Sequence, residues 1–291
     1  MQFDKIYSNG CSFMWGHHHN NPWYFKYFEE TKDIDIQDFL DECLLHRHKM
    51  ENTQYTNPNV FKPFNQFDWV REKYNYASRV AEYFNVPIIN ESIFGGSLHR
   101  VIRKTLKYII ETPDEELKST LFILEIPPPG RQEMYFCNQP EGARYCNFTQ
   151  SEDNFDFITD ENFKTTREYY KNSFEFNIDV IEEFIKLYCL INLFKTKNIN
   201  YIFLQSDLGR FQIIDRNNTG RYLNYDKMVE IQNDINKHSI KFDESYDFVH
   251  WFGVEKKATF KHDCPDISFD GHNSIRGSKL IADYIINYIK N

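Results

Sequence analysis

The sequence predicts an α/β protein, a three-layer α/β/α sandwich built on a central parallel sheet. Two observations carry this prediction. Short apolar runs bounded by turn residues recur at 3–9, 86–90, 120–126 and 200–206. Stretches with apolar residues at helical spacing occur at 71–84, 98–111, 178–196 and 274–290. Strands alternating with amphipathic helices form parallel sheets covered by crossover helices. Ligands of such sheets collect at the carboxyl ends of the strands, so the residues just after the first three strands are the first place to look.

Each element has its own justification. The run FDKIYSN at 3–9 reads as a strand that ends in Gly10, a natural turn. Residues 17–70 are polar and aromatic and read as an insertion, with an amphipathic helix near 36–47. The segment 71–84 carries Tyr76, Val80, Ala81 and Phe84 at helical spacing, and VPIIN at 86–90 reads as a buried strand. A helix over 98–111 leads to the strand TLFILEI at 120–126, closed by Pro127, Pro128 and Pro129. Residues 130–175 show little periodicity. A helix over 178–196 precedes the strand at 200–206, and 207–247 again reads as irregular. The last helix, about 274–290, presents Leu280, Ile281, Tyr284, Ile285 and Tyr288 on one face. Trp69, Asn75 and Ala81 read as scaffold positions. The organisation expected is one domain over 1–291 with insertions at 17–70, 130–175 and 207–247.

Composition narrows the function classes. With 291 residues, 41% hydrophobic and 26% charged, the chain has the make-up of a soluble globular domain able to bury its own core. Phe and Tyr are abundant (27 and 19), a bias of AT-rich coding sequences such as many viruses and some bacteria carry. The net charge of −9 and the lack of a long Lys/Arg run argue against a nucleic-acid reader. The opening MQFDKIYSNG has no basic start followed by an apolar stretch, so no secretory signal is expected. The longest apolar run, around 187–194, is too short to span a bilayer. These features favour a soluble protein, cytoplasmic or virion-associated, without a membrane partner. Six cysteines lack any C-x-x-C pair and read as reduced thiols. No G-x-G-x-x-G or P-loop pattern occurs, so no cofactor is expected.

The candidate chemistry lies in three turns. The first is Ser8-Asn9-Gly10-Cys11-Ser12-Phe13, with a serine two residues past a glycine at a strand end. A helix starting there would aim free N–H groups at a developing oxyanion, although helix capping alone also places Gly and Ser in such turns. The second is Asn90-Glu91-Ser92-Ile93-Phe94-Gly95-Gly96-Ser97, where a Gly pair permits close backbone approach and Ser97 is placed to cap the next helix. The third is Asp270-Gly271-His272-Asn273-Ser274, directly before the last helix. A histidine base needs a partner for its second nitrogen, and Asp270 faces the same way if the segment is extended.

Taken in order, the three turns resemble the blocks of the SGNH (GDSL-like) hydrolase superfamily. Gly10-Cys11-Ser12-Phe13 looks like its first block in the G-C-S-F variant of phage and bacterial members. NESIFGGSLHRVI at 90–102 is similar to the second and DGHNSIRGSKLIADYI at 270–285 to the last. The resemblance implies a flavodoxin-like sheet and a serine esterase that cleaves a short acyl ester, for instance an O-acetyl group on carbohydrate. It assigns Ser12 as nucleophile and first oxyanion donor, His272 as base and Asp270 as its orienter. Gly95 supplies the second oxyanion donor, with Gly96 the alternative. Two departures stand out. The family's third block supplies an Asn donor, whereas this chain has Glu125-Ile126-Pro127-Pro128-Pro129-Gly130-Arg131-Gln132, leaving Arg131 or Gln132 as substitutes. The spacing Asp-x-His replaces the commoner Asp-x-x-His, with Asp266 as fallback. A catalytically silent binding module of the same fold and an acyltransferase are the competing readings.

Other histidines read as less informative. His17, His18 and His19 cannot all face one metal from regular structure, and an exposed polar loop is the favoured reading over substrate or metal contact. His46 and His48 fall on the polar side of the insertion helix, and His262 with Cys264 lacks the second pair a zinc site needs. The aromatics Trp15, Trp23, Tyr24, Phe25, Tyr27 and Phe28 form either a substrate platform or the packing of the insertion onto the domain.

Overall fold

The computed structural model describes residues 2–16, 19–35, 67–93, 96–127, 131–136, 144–149, 176–205, 225–243, 246–264 and 271–291. The expected helix at 36–47, and with it His46 and His48, lies outside the described residues, as do His17 and His18.

The chain opens with β1 (Lys5–Asn9), the one-turn helix α1 (Ser12–Trp15), then α2 (Asp68–Tyr74) and α3 (Tyr76–Phe84). It continues through β2 (Ile88–Asn90), α4 (Leu98–Glu111), α5 (Asp114–Lys118) and β3 (Thr120–Ile126). A hairpin of β4 (Arg131–Phe136) and β5 (Arg144–Thr149) follows, then α6 (Phe176–Lys197), β6 (Asn200–Gln205) and α7 (Tyr225–Lys237). Last come α8 (Phe260–Asp263) and α9 (Ile275–Lys290).

The central sheet is parallel with strand order β2-β1-β3-β6. Beyond β6, Phe203 pairs with Ser239 and Gln205 with Asp247 through isolated parallel bridges, a rudimentary fifth row. Period-2 alternation splits each strand between two cores. Ile6, Leu121, Ile123, Ile202 and Leu204 face one side, under Val80 and Ala81 of α3 and Ile281, Ile285 and Ile289 of α9. Tyr7, Phe122, Leu124 and Phe203 face the other, under Val101 and Ile109 of α4 and Phe184, Ile191 and Phe194 of α6. Two apolar faces, each closed by helices, make the three-layer α/β/α sandwich that the alternation predicts. Among the described residues no helix is long and apolar enough to cross a membrane.

Several local expectations are corrected. The helix expected over 71–84 is two helices, because Asn75 takes an extended conformation and caps α3, accepting the Ser78 N–H at 2.9 Å. The strand at 86–90 is shorter and only half-buried, since β2 is a sheet edge. The segment 130–175 contains the β4–β5 hairpin, and 207–247 contains α7, so neither is wholly irregular. The buried face of α9 is rotated: Ile281, Ala282, Ile285, Ile286 and Ile289 are inside, while Tyr288 is exposed. Trp69 is also exposed rather than scaffold, unlike Asn75 and Ala81. The insertion packs through its aromatics: Tyr24, Phe25 and Phe28 join Phe67, Val70, Tyr74 and Phe260 in a third apolar cluster.

Candidate active site

The chain passes from β1 to β2 on one side and from β3 to β6 on the other, which opens a crevice between β1 and β3 at the carboxyl end of the sheet. Ser12 sits there, at the start of α1. The helix lasts one turn because Gly16 closes it in the left-handed region (φ +76°), where a Cβ would also lie 2.9 Å from His19 Nδ1. The Ser12 side chain is buried, and its Oγ is 2.7 Å from Nε2 of His272, a residue 260 positions away. A serine hydroxyl within hydrogen-bond reach of an imidazole nitrogen is the geometry of a nucleophile and its base.

The His272 segment is fixed through its backbone. Thr259 and Asn273 form an antiparallel bridge, the Phe260 N–H donates to the His272 carbonyl at 3.2 Å, and the Ser274 N–H donates to the Ala258 carbonyl at 3.1 Å. Ser274 then caps α9, accepting the Gly277 N–H at 3.1 Å. The imidazole lies over the Phe13 ring, with centroids 4.7 Å apart, and Phe13 rests edge-on against Phe248 and Phe252. Ser12 and His272 are thus both held from one short helix.

His19, placed by its sequence context in an exposed polar loop, is instead fully buried. Its Nε2 is 3.1 Å from the Asn273 carbonyl, which can only accept, so that nitrogen carries the proton. Asn273 in turn donates to Ser278 Oγ at 2.5 Å. The insertion therefore reaches the residue next to His272, a role no local pattern announces.

The second turn presses against the first. The Glu91 N–H donates to the Ser8 carbonyl at 2.9 Å, and a Cβ on Gly96 would stand 2.7 Å from the Gly10 carbonyl oxygen. The Gly96 N–H itself donates to the Ile93 carbonyl at 3.3 Å, inside its own turn. Ser97 caps α4 as expected, accepting the Arg100 N–H at 3.2 Å. The buried Arg100 guanidinium joins both turns, donating to Asn9 Oδ1 at 3.2 Å and to the Glu91 carbonyl at 2.5 Å, with the Glu91 carboxylate 3.8 Å away.

Under the turn that carries Ser12 lies a group to which no sequence motif assigns a role. Glu125, fully buried near the end of β3, accepts the N–H groups of Cys11 and Met14 on Oε2, each at 3.1 Å. The Cys11 thiol is 2.7 Å from Oε1, and the Tyr76 hydroxyl 3.4 Å from Oε2. Burial, and then the charge of Glu125, hold the Tyr76 phenol well above its ordinary pKa, so it stays a donor. A lone carboxylate in the otherwise apolar run TLFILEI was the available signal.

Of the other expected site residues, Gly95, Asp270 and the fallback Asp266 lie outside the described residues. Arg131 and Gln132 begin β4, opposite Thr149 and Phe148, and their side chains lie outside the described residues.

The chain matches no family profile and no curated protein. Among solved structures it is similar to the psychrotrophic esterase EstA of a Pseudoalteromonas species, at 10% identity and a TM-score of 0.43 over 99% of this chain and 97% of that one. It is similar to Axe2, an acetylxylan esterase from Geobacillus stearothermophilus, at 12% identity and 0.41 over 100% and 95%. A third is a chain assigned as a GDSL-like lipase from Parabacteroides merdae, at 11% identity and 0.39 over 99% and 96%.

Proposed function

We propose that this protein is a serine ester hydrolase of the SGNH type, acting through an acyl-Ser12 intermediate. The observation that carries the proposal is the 2.7 Å contact between Ser12 Oγ and His272 Nε2 at the switch point of the sheet. As Oγ bonds to the acyl carbon, its proton passes to Nε2, and the carbonyl electron pair moves onto oxygen. The Ser12 N–H and the Gly95 N–H are the proposed oxyanion donors; Gly96 is the weaker candidate because its N–H is engaged by Ile93. His272 then gives the proton to the leaving alcohol as the tetrahedral species collapses. Water, deprotonated by the same imidazole, releases the acid in the second half. Asp270, with Asp266 as the alternative, is proposed to orient His272 through Nδ1, and Arg131 or Gln132 to complete the oxyanion site. A small acyl ester, such as O-acetyl on carbohydrate, is the proposed substrate class, and no cofactor takes part. The second reading, a silent binding module, is favoured by Pro127 and its successors standing where the family's Asn block belongs.

Fluorophosphonate labelling with mass mapping, beside p-nitrophenyl acetate turnover, separates the two. The expected result is a single adduct on Ser12, and turnover that falls by at least about 10³-fold in Ser12→Ala and in His272→Ala. A wild-type protein that neither labels at Ser12 nor turns over the ester is the binding module.

A further inference from the structure

Glu125 takes no part in the proton transfers above, yet two amides, a thiol and a phenol converge on its carboxylate. In register, Asn9 of β1 stands beside Leu124 of β3, so Glu125 is the first β3 residue beyond the end of β1. Its carboxylate lies under the turn that carries Ser12, within reach of the Cys11 and Met14 amides. All its named partners are donors: two amides, a thiol and a phenol. That environment suits an ionised, acceptor-only group, and it is what permits a charge to be buried there. The amides opening a helix lack intrahelical partners, and in α1 two of them, flanking Ser12 and Phe13, end on one oxygen. The glycine before them is part of the same design. A Cβ at Gly10 would stand 2.5 Å from Glu125 Oε2 and 2.7 Å from Glu125 Cβ, so any side chain there would displace the carboxylate.

We propose that Glu125 is a positioning residue, an internal anion that clamps the Cys11 and Met14 amides and so sets the place of Ser12 Oγ against His272. The proposal rests on the reading of Ser12 as nucleophile. It also accounts for the unusual third block, where this strand end supplies an acceptor to the nucleophile turn in place of a donor to the substrate. Cys11, whose sulfur is 3.9 Å from Ser12 Oγ, is the link between clamp and nucleophile.

The test uses the full chain with Glu125→Gln, which keeps shape and removes charge, and Glu125→Asp, which keeps charge and shortens the reach. In Glu125→Gln the rate of Ser12 labelling and kcat should fall by about 10- to 100-fold, the scale of a nucleophile displaced by a fraction of an ångström to one ångström. KM should stay within about twofold, as expected when positioning and not binding is lost. Thermal unfolding should stay close to wild type, and Glu125→Asp should regain part of the lost rate. Wild-type labelling and turnover in Glu125→Gln overturn the proposal, as does a loss that merely follows the fraction unfolded. If wild-type protein does not label at Ser12, the hydrolase reading fails by itself, and hydrogen exchange decides the clamp. Faster exchange in Glu125→Gln confined to residues 10–16 upholds it; unchanged exchange there overturns it.

Discussion

At the scale of single residues, the site is built from contacts that tolerate little added volume. Gly96 shows this most directly. It brings the second turn against the Gly10 carbonyl, and a methyl group there would meet backbone oxygen rather than a side chain that can swing away. Gly96→Ala should destabilise the fold by about 1–3 kcal/mol, the range for overpacking a closed site. It should also slow Ser12 labelling beyond what the lost stability explains, because the displaced atom belongs to the turn that carries Ser12. Chemical denaturation combined with labelling at fixed folded fraction checks both parts. An alanine variant that labels at wild-type rate would show that the two turns need not touch. Phe13 makes a related point: one side chain of α1 supports the imidazole that the neighbouring residue of α1 engages.

At the scale of elements, the outer edge of β6 is closed by the chain after α7, where the Phe203 N–H donates to the His238 carbonyl and the Ile240 N–H to the Phe203 carbonyl, each at 2.9 Å. The His238 ring lies against Tyr201, with centroids 4.7 Å apart. Burial, with Lys195 and Lys237 adding to it against the opposing Asp234, lowers the His238 pKa below its ordinary value. A histidine with a depressed folded-state pKa binds its proton more readily when unfolded. Its contribution is therefore fully present above the unfolded value, about 6.5, and is lost as pH falls through the window down to the folded value. The urea midpoint should fall between about pH 7.5 and about pH 5.5, and His238→Gln should flatten that fall. The effect is modest because the ring is partly solvated. Equal slopes for the two proteins would remove His238 from the account.

At the scale of the whole molecule, the proposed catalytic pair is assembled from the two ends of the chain and held there by the insertion. His19 is the tie. It follows α1 closely in sequence and bonds the carbonyl of Asn273, 254 residues away. His19→Ala removes the donor and opens a cavity between the insertion and the start of α9. The expected outcome is a loss of about 2–4 kcal/mol, for the lost volume and the buried carbonyl left without that donor. A drop in kcat larger than the change in KM should accompany it, since His272 is the next residue. Esterase assays and thermal melts on His19→Ala and His19→Gln test this. Unchanged kcat in a folded His19→Ala protein would show that the His272 segment holds its place without the tie.

What was legible in the sequence is what local periodicity and short motifs encode. Strand runs such as TLFILEI alternate between two cores, and the α4 start follows from Ser97 acting as a cap. The resemblance of the three turns to the superfamily blocks singled out Ser12 and His272, and their side chains lie 2.7 Å apart. The break at Asn75 and the rotated face of α9 escaped because helical spacing tolerates a shift of one residue, and only packing chooses between neighbouring faces. Glu125, His19, Asn273 and Arg100 escaped for a different reason. Their partners lie far away in the chain, and a buried polar group looks the same in sequence as a solvated one until the sheet order decides what stands beside it. The sequence by itself thus determined the layers and the approximate places of the helices. Only the tertiary structure decided that β1 and β3 are neighbours, and with that adjacency which carboxylate, which histidine and which arginine hold the pair in place.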